Sequence, residues 1–114
     1  MKEFLKVMKA LSDPNRVKIL KMLQHKDMCV CELQTALGIA QPTVSKHLKV
    51  LEEAGLVAFE KDGTWVNYRI LENGNIYGKI ILSYLREWLE DDPDISILIQ
   101  KLPFINREEI CKKE

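Results

Sequence analysis

At 114 residues, with 46% hydrophobic and 30% charged side chains, the sequence suits one small folded domain and leaves little room for a second. It holds no apolar run near the roughly 20 residues needed to span a bilayer, and its three cysteines, an odd number, exclude a disulfide framework. The formal net charge is zero, which argues against a nucleic-acid partner until the chain is split: residues 1–50 carry nine Lys/Arg against four Asp/Glu, the remainder eight against thirteen.

Phe4, Val7, Met8 and Leu11 recur at helical spacing and predict a first helix over residues 2–11. It follows Met1 with no signal-peptide apolar block, so the expected address is cytoplasmic. Ser12-Asp13-Pro14 supplies a cap and a first-turn proline for a second helix, running on Val17, Ile19, Leu20 and Leu23 to about Gln24. A short extended piece, Met28-Cys29-Val30, leads to a third helix on Leu33, Ala36 and Leu37, which Gly38 ends. Gln41-Pro42-Thr43 opens a fourth helix with Val44, Leu48 and Leu51 inward, closed by Gly55. Strands over Leu56–Lys61 and Trp65–Leu71 meet at Asp62-Gly63, a hairpin signal. A final long helix starts at Asn75, runs on Tyr77, Ile80, Ile81, Tyr84, Leu85 and Trp88, and ends by Pro93. The tail, 94–114, carries Ile95, Ile97, Leu98 and Ile99, room for one short helix, and a break at Pro103.

Two short helices joined by a glycine turn and followed by a hairpin predict a mainly α fold with a small β-hairpin (α+β), a winged helix-turn-helix. Residues 1–93 are then the DNA-binding and dimerisation domain and 94–114 a C-terminal tail. In a chain this small, the apolar faces of the first and last long helices call for a second copy, a homodimer.

The fourth helix is where base contacts are expected, because an α-helix fits the major groove and the groove's base edges carry a distinguishable code. Gln41 and Thr43, near its N-terminal end, are the candidates for base edges. Ser45, Lys46, His47 and Lys49 are candidates for phosphate, with Lys61 and Arg69 on the wing. The competing reading is an ordinary solvated polar face; for His47 a half-buried structural role stands equally open.

The runs Met28-Cys29-Val30-Cys31-Glu32-Leu33, Gln41-Pro42-Thr43-Val44-Ser45-Lys46-His47-Leu48 and Gly63-Thr64-Trp65-Val66-Asn67-Tyr68-Arg69 resemble the arsenic-repressor (ArsR/SmtB) family. Leu11-Ser12-Asp13-Pro14-Asn15-Arg16 is similar to that family's entry to its second helix. The resemblance is close over residues 3–71 and looser over 75–90. It implies a homodimer on double-stranded, palindromic operator DNA, released by an inducer. No membrane partner and no enzymatic activity are expected.

Cys29 and Cys31 stand just before and at the start of the third helix. Side chains at i and i+2 of an extended segment point the same way, and a helix N-terminus favours the thiolate, a soft ligand for soft ions. The resemblance implies arsenite or antimonite as inducer, bound by three thiolates. Where the family's best-known pattern has a third cysteine one turn after the second, this chain has Gln34, leaving Cys111 of the tail, from its own or the partner subunit, as third ligand or bystander. The family's other site, zinc along the last helix, lacks its histidines here, since only His25 and His47 exist. Cadmium, lead and copper(I) stay open as alternative ions. Two alternatives remain: a redox switch through disulfides of Cys29, Cys31 or Cys111, and a thiol oxidoreductase or metal carrier. The last lacks a Cys-x-x-Cys beside a βαβ unit and any nucleophile–base pair.

Overall fold

The computed structural model describes residues 1–110. Helix α1 (Lys2–Ala10) leads through Leu11 and Ser12 to α2 (Pro14–Leu23). Asp13 caps α2 with its carboxylate, accepting the amides of Asn15 (2.8 Å) and Arg16 (3.2 Å), while Pro14 fills the first turn, where no amide is needed. Strand β1 (Met28–Cys29) runs directly into α3 (Val30–Leu37), which ends on Gly38 at φ 68°. After Ile39 and Ala40 comes α4 (Gln41–Glu53). It closes in a Schellman arrangement, with the Gly55 amide (φ 75°) on the Glu52 carbonyl and the Leu56 amide on that of Leu51.

β2 (Val57–Asp62) and β3 (Trp65–Ile70) form the hairpin, turning at Gly63 with φ 64°. The short extended piece expected over residues 28–30 stops at Cys29, since Val30 is already helical, and it joins the hairpin: the antiparallel sheet has the order β1-β3-β2, with Met28 opposite Tyr68 and Cys29 opposite Asn67. The hairpin is therefore anchored to the start of α3 by its inner strand.

α5 (Ile76–Leu85) is shorter than the single helix to Pro93 that its apolar spacing predicts. Asn75 starts it, accepting from the Gly78 amide and donating to the Ala54 carbonyl, which ties α5 to the end of α4. Its early end has a physical cause. Lys21, buried to 1% exposure, aims its ammonium at the Leu85 (2.9 Å) and Trp88 (2.8 Å) carbonyls, so backbone groups leaving the helix are satisfied by a cation. Residues 86–92 turn, with Leu89 at φ 64°, before α6 (Pro93–Lys101), a 3-10 turn (Leu102–Phe104) and α7 (Arg107–Ile110).

Val7, Ile19, Leu20, Leu33, Leu48, Leu51 and Leu56 form the centre of the core, and Leu98, Leu102 and Ile105 join the same cluster. The described part of the tail thus packs on the helix-turn-helix, with more helix than its sequence announces. Lys26 holds it there through the Leu102 (3.1 Å) and Ile105 (3.0 Å) carbonyls. Among the described residues, no helix is long and apolar enough to cross a membrane.

Candidate nucleic-acid interface and thiol site

Val44, Leu48 and Leu51 are each at most 1% exposed, and burial at about 1.5–3 kcal/mol apiece fixes the rotation of α4. That rotation leaves Gln41, Thr43, Ser45, Lys46 and Lys49 exposed on one polar face, as their spacing predicts. His47 is set differently. It is half-buried, with Nδ1 accepting from Arg16 Nη1 (3.2 Å) and Nε2 3.9 Å from Asp13 Oδ1. Arg16 also donates from Nε to the Ala10 carbonyl (2.8 Å), so Asp13, Arg16 and His47 join the end of α1, the start of α2 and the side of α4. The second of the two readings of His47 describes this placement.

Register decides the faces of the hairpin, since residues paired across strands share a side. Asp62, Glu60 and Ala58 stand with Trp65, Asn67 and Arg69, whereas Lys61 and Phe59 stand with Val66 and Tyr68. Lys61 and Arg69 are both exposed, but on opposite faces, Lys61 near the turn and Arg69 toward the base. They flank the hairpin and do not form one patch.

The thiols depart from the extended i, i+2 geometry expected of them. The strand ends at Cys29 and the helix begins at Val30, so Cys29 is the N-cap of α3 and Cys31 lies within its first turn. Cys29 is free and 2% exposed. Burial pushes its thiol above the usual range, and the Glu32 carboxylate adds to this, against an opposing hydrogen bond from the Glu32 backbone. The expected lowering by the helix N-terminus is therefore overridden by desolvation. Cys31 is disulfide-bonded. Cys111 lies outside the described residues. Among the described residues no group of three or more His, Cys, Asp or Glu side chains is gathered as a metal site.

Three residues to which the sequence reading gave no role complete this corner. Glu32, only 8% exposed, accepts the Cys29 amide on Oε1 (2.9 Å) and the Arg107 amide on Oε2 (3.2 Å). Arg107 donates from Nη1 to Asn67 Oδ1 and from Nη2 to Asp62 Oδ2, each at 3.0 Å, and its guanidinium lies 4.9 Å from the centre of the Trp65 ring. Glu32 had a legible signal, an acidic residue three places after a helix N-cap. Asn67 and Arg107 had none, because their partners are distant in sequence.

Away from these contacts, α1 and α5 share an apolar surface. Phe4 and Tyr77 meet edge to face at 5.5 Å, and Tyr84 stacks on Trp88 at 5.4 Å. Ile80, Tyr84 and Trp88 nevertheless remain 47–52% exposed.

Residues 13–58, from the cap of α2 into β2, match the family model described as bacterial regulatory protein, arsR family. An uncharacterized HTH-type transcriptional regulator of Methanocaldococcus jannaschii is 44% identical over 68 residues, covering 59% of this chain and 76% of that protein. The arsenical resistance operon repressor of Escherichia coli is 42% identical over 67 residues, covering 58% of this chain and 57% of that protein, just over half its length. Among solved structures, the homodimeric winged helix-turn-helix DNA-binding domain of Mb0332 from Mycobacterium bovis superposes with a TM-score of 0.65 at 28% identity, covering 81% of this chain and 86% of that chain.

Proposed function

This chain belongs to the ArsR/SmtB family of winged-helix transcriptional repressors, and on that premise we propose that it is a cytoplasmic, homodimeric operator-binding repressor released by thiol chemistry at the start of α3. It is a DNA-binding regulator and not an enzyme. The inducer we assign is trivalent arsenic or antimony, held by Cys29, Cys31 and, as third sulfur, Cys111. The observation that carries the reading is position: Cys29 is the N-cap and Cys31 the second residue of α3, the helix that packs on α4.

Two soft sulfurs fit a soft ion by donor chemistry, but the folded arrangement does not present them as a ready chelate. Cys29 is buried, and Cys31 must be reduced before it can ligate. Drawing both sulfurs to one ion opens the first turn of α3 and breaks the Glu32 cap on the Cys29 amide, a loss of about 1 kcal/mol. α4 rides on α3, so its polar face leaves the groove as that turn opens. A coupling of about 1–3 kcal/mol, typical of allosteric proteins, changes operator affinity about 5–150-fold.

DNA binding itself follows from the exposed face of α4, with Gln41 and Thr43 toward base edges and Ser45, Lys46 and Lys49 toward phosphates. Lys61 and Arg69 contact backbone from the two faces of the wing, and His47 acts by holding α4 against Arg16. The α1–α5 surface is the dimer seam, and the homodimeric M. bovis domain supports that assignment.

The disulfide at Cys31 favours a second reading of the same site, in which the redox state of the thiols, and not an ion, sets the affinity for DNA. One titration separates the two. Operator release is measured under full reduction with arsenite, antimonite, cadmium, lead, copper(I) and zinc, and separately with diamide and no metal. Release by arsenite under reduction supports the metalloid reading; release by diamide alone refutes it in favour of the redox switch.

A further inference from the structure

Strand pairing puts Cys29 directly across from Asn67, on the face of the sheet that also carries Trp65 and Asp62. Arg107 covers that face. Its guanidinium forks onto Asn67 and Asp62 and lies over Trp65, while its own amide is held by Glu32, the residue that caps Cys29. One side chain from the C-terminal segment thus touches three residues of the wing, and its backbone is bonded to the first turn of α3. Each bond is charge-assisted or made to a partly buried group, and a two-armed guanidinium fixes orientation as well as distance.

Resting on the thiol-controlled reading above, we propose that Arg107 is a latch that sets the wing's position from the state of the α3 first turn, and so acts as a positioning residue for DNA binding. When the turn opens, Glu32 leaves the Arg107 amide, the guanidinium loses its alignment with Asn67 and Asp62, and the wing is freed. The latch has a second consequence. Asp62 and Glu60 are carboxylates on a wing that approaches phosphates, and the paired guanidinium neutralises Asp62. Release therefore both loosens the wing and unmasks a negative charge beside the DNA. Two coupled effects at the wing add to the movement of α4, and neither needs Arg107 to touch DNA.

The test compares Arg107→Ala, Arg107→Lys, Asn67→Ala and the Asn67→Ala/Arg107→Ala double variant in the full chain. Thermal unfolding monitors the fold, and 5-fluorotryptophan labelling gives a ¹⁹F signal for Trp65, assigned with Trp65→Phe. In the absence of inducer, Arg107→Ala and Asn67→Ala should each weaken operator binding about three- to fivefold, the scale of one partly exposed charged pair. The double variant should be no weaker than either single, and both should shift the Trp65 signal the same way. Arg107→Lys keeps the charge but not the fork and should not restore binding. An Arg107→Ala loss that Asn67→Ala does not share, accompanied by a salt slope smaller by about one phosphate contact, makes Arg107 a DNA ligand and overturns the latch. With arsenite or diamide, whichever releases the parent, Arg107→Ala should retain thiol reaction at the same stoichiometry while its release ratio falls at least about fivefold. Unchanged release refutes the proposal. A parent protein that neither reagent releases sinks the thiol control instead, and the Asn67–Arg107 coupling then stands or falls on inducer-free affinity alone.

Discussion

Replacing Cys29 with serine separates what the residue does for the fold from what it does for the signal. Cys29 is the N-cap of α3, where its sulfur accepts from the Glu32 amide and the Glu32 carboxylate accepts the Cys29 amide at 2.9 Å, so Cys29→Ser keeps this capping box and replaces a weak sulfur acceptor with a hydroxyl. A serine cap is worth about 0.5–2 kcal/mol over a residue that cannot cap, so the gain over a sulfur that already caps lies toward the low end of that range. Against this stands the loss of a buried sulfur, 2% exposed, and the desolvation of a hydroxyl, about 1–3 kcal/mol if it finds no partner. Here the Glu32 amide is that partner, so the two effects nearly cancel and the net change stays within about 1 kcal/mol. For a chain this size that is a Tm shift of at most about 5 °C in either direction. Circular dichroism melting checks the stability, and fluorescence anisotropy on labelled operator, with and without arsenite, checks the signal. The expected result is a near-parental melt, parental affinity for DNA and no release. A loss above about 3 kcal/mol would make Cys29 a packing residue first; full release by arsenite would remove it from the ligand set.

The proposed dimer seam predicts that Trp88→Glu, placing a charge on the exposed Tyr84–Trp88 stack, yields a monomer by sedimentation and a large loss of operator affinity. A variant that stays dimeric locates the seam elsewhere. Lys46→Ala or Lys49→Ala should weaken binding to all sequences and flatten the salt dependence by about 0.9 per lost phosphate contact, whereas Gln41→Ala should change the ratio of operator to random DNA. Lys21→Met removes two short bonds from an ammonium to carbonyls, at about 1.5–3 kcal/mol each, while the pair with the half-exposed Glu90 carboxylate adds under about 1 kcal/mol. A melting loss of about 3 kcal/mol or more is expected, and a neutral effect would mean that α5 ends for another reason. Because burial raises the Cys29 thiol in the folded state, the unfolded thiol ionises first as pH climbs. The associated stability is fully present below the unfolded thiol's range and is lost as pH rises through the folded value. Cys29→Ser should remove that alkaline component from the unfolding curve.

The helix-turn-helix was legible because its signals are local. Asp13-Pro14 and Gly38 mark ends, and Val44, Leu48 and Leu51 mark one face, so the outward set from Gln41 to Lys49 follows by subtraction. The hairpin was legible for the same reason, through Asp62-Gly63. The length of α5 was not, because apolar spacing continues past the point where the helix stops. Tyr84 and Trp88 keep helical periodicity, yet the ammonium of Lys21, more than sixty residues upstream, takes the carbonyls on which the helix would have continued to build.

The thiol corner shows the same division between local and distant causes. Sequence places Cys29 at a helix N-terminus, and the dipole there argues for a thiolate. What reverses the sign is the lid: β3 pairs with Cys29 through Asn67, and the Glu32 carboxylate closes the turn. Nothing within five residues of Cys29 announces Asn67 or Arg107, which stand 40 residues from each other along the chain. A reactive thiol would respond to many soft ions at once. In the proposed mechanism a buried one, whose exposure requires breaking the Glu32 cap, couples ligand binding to the contacts that position α4 and the wing. On that mechanism, the burial that raises the Cys29 thiol is also what ties its exposure to the DNA-binding face.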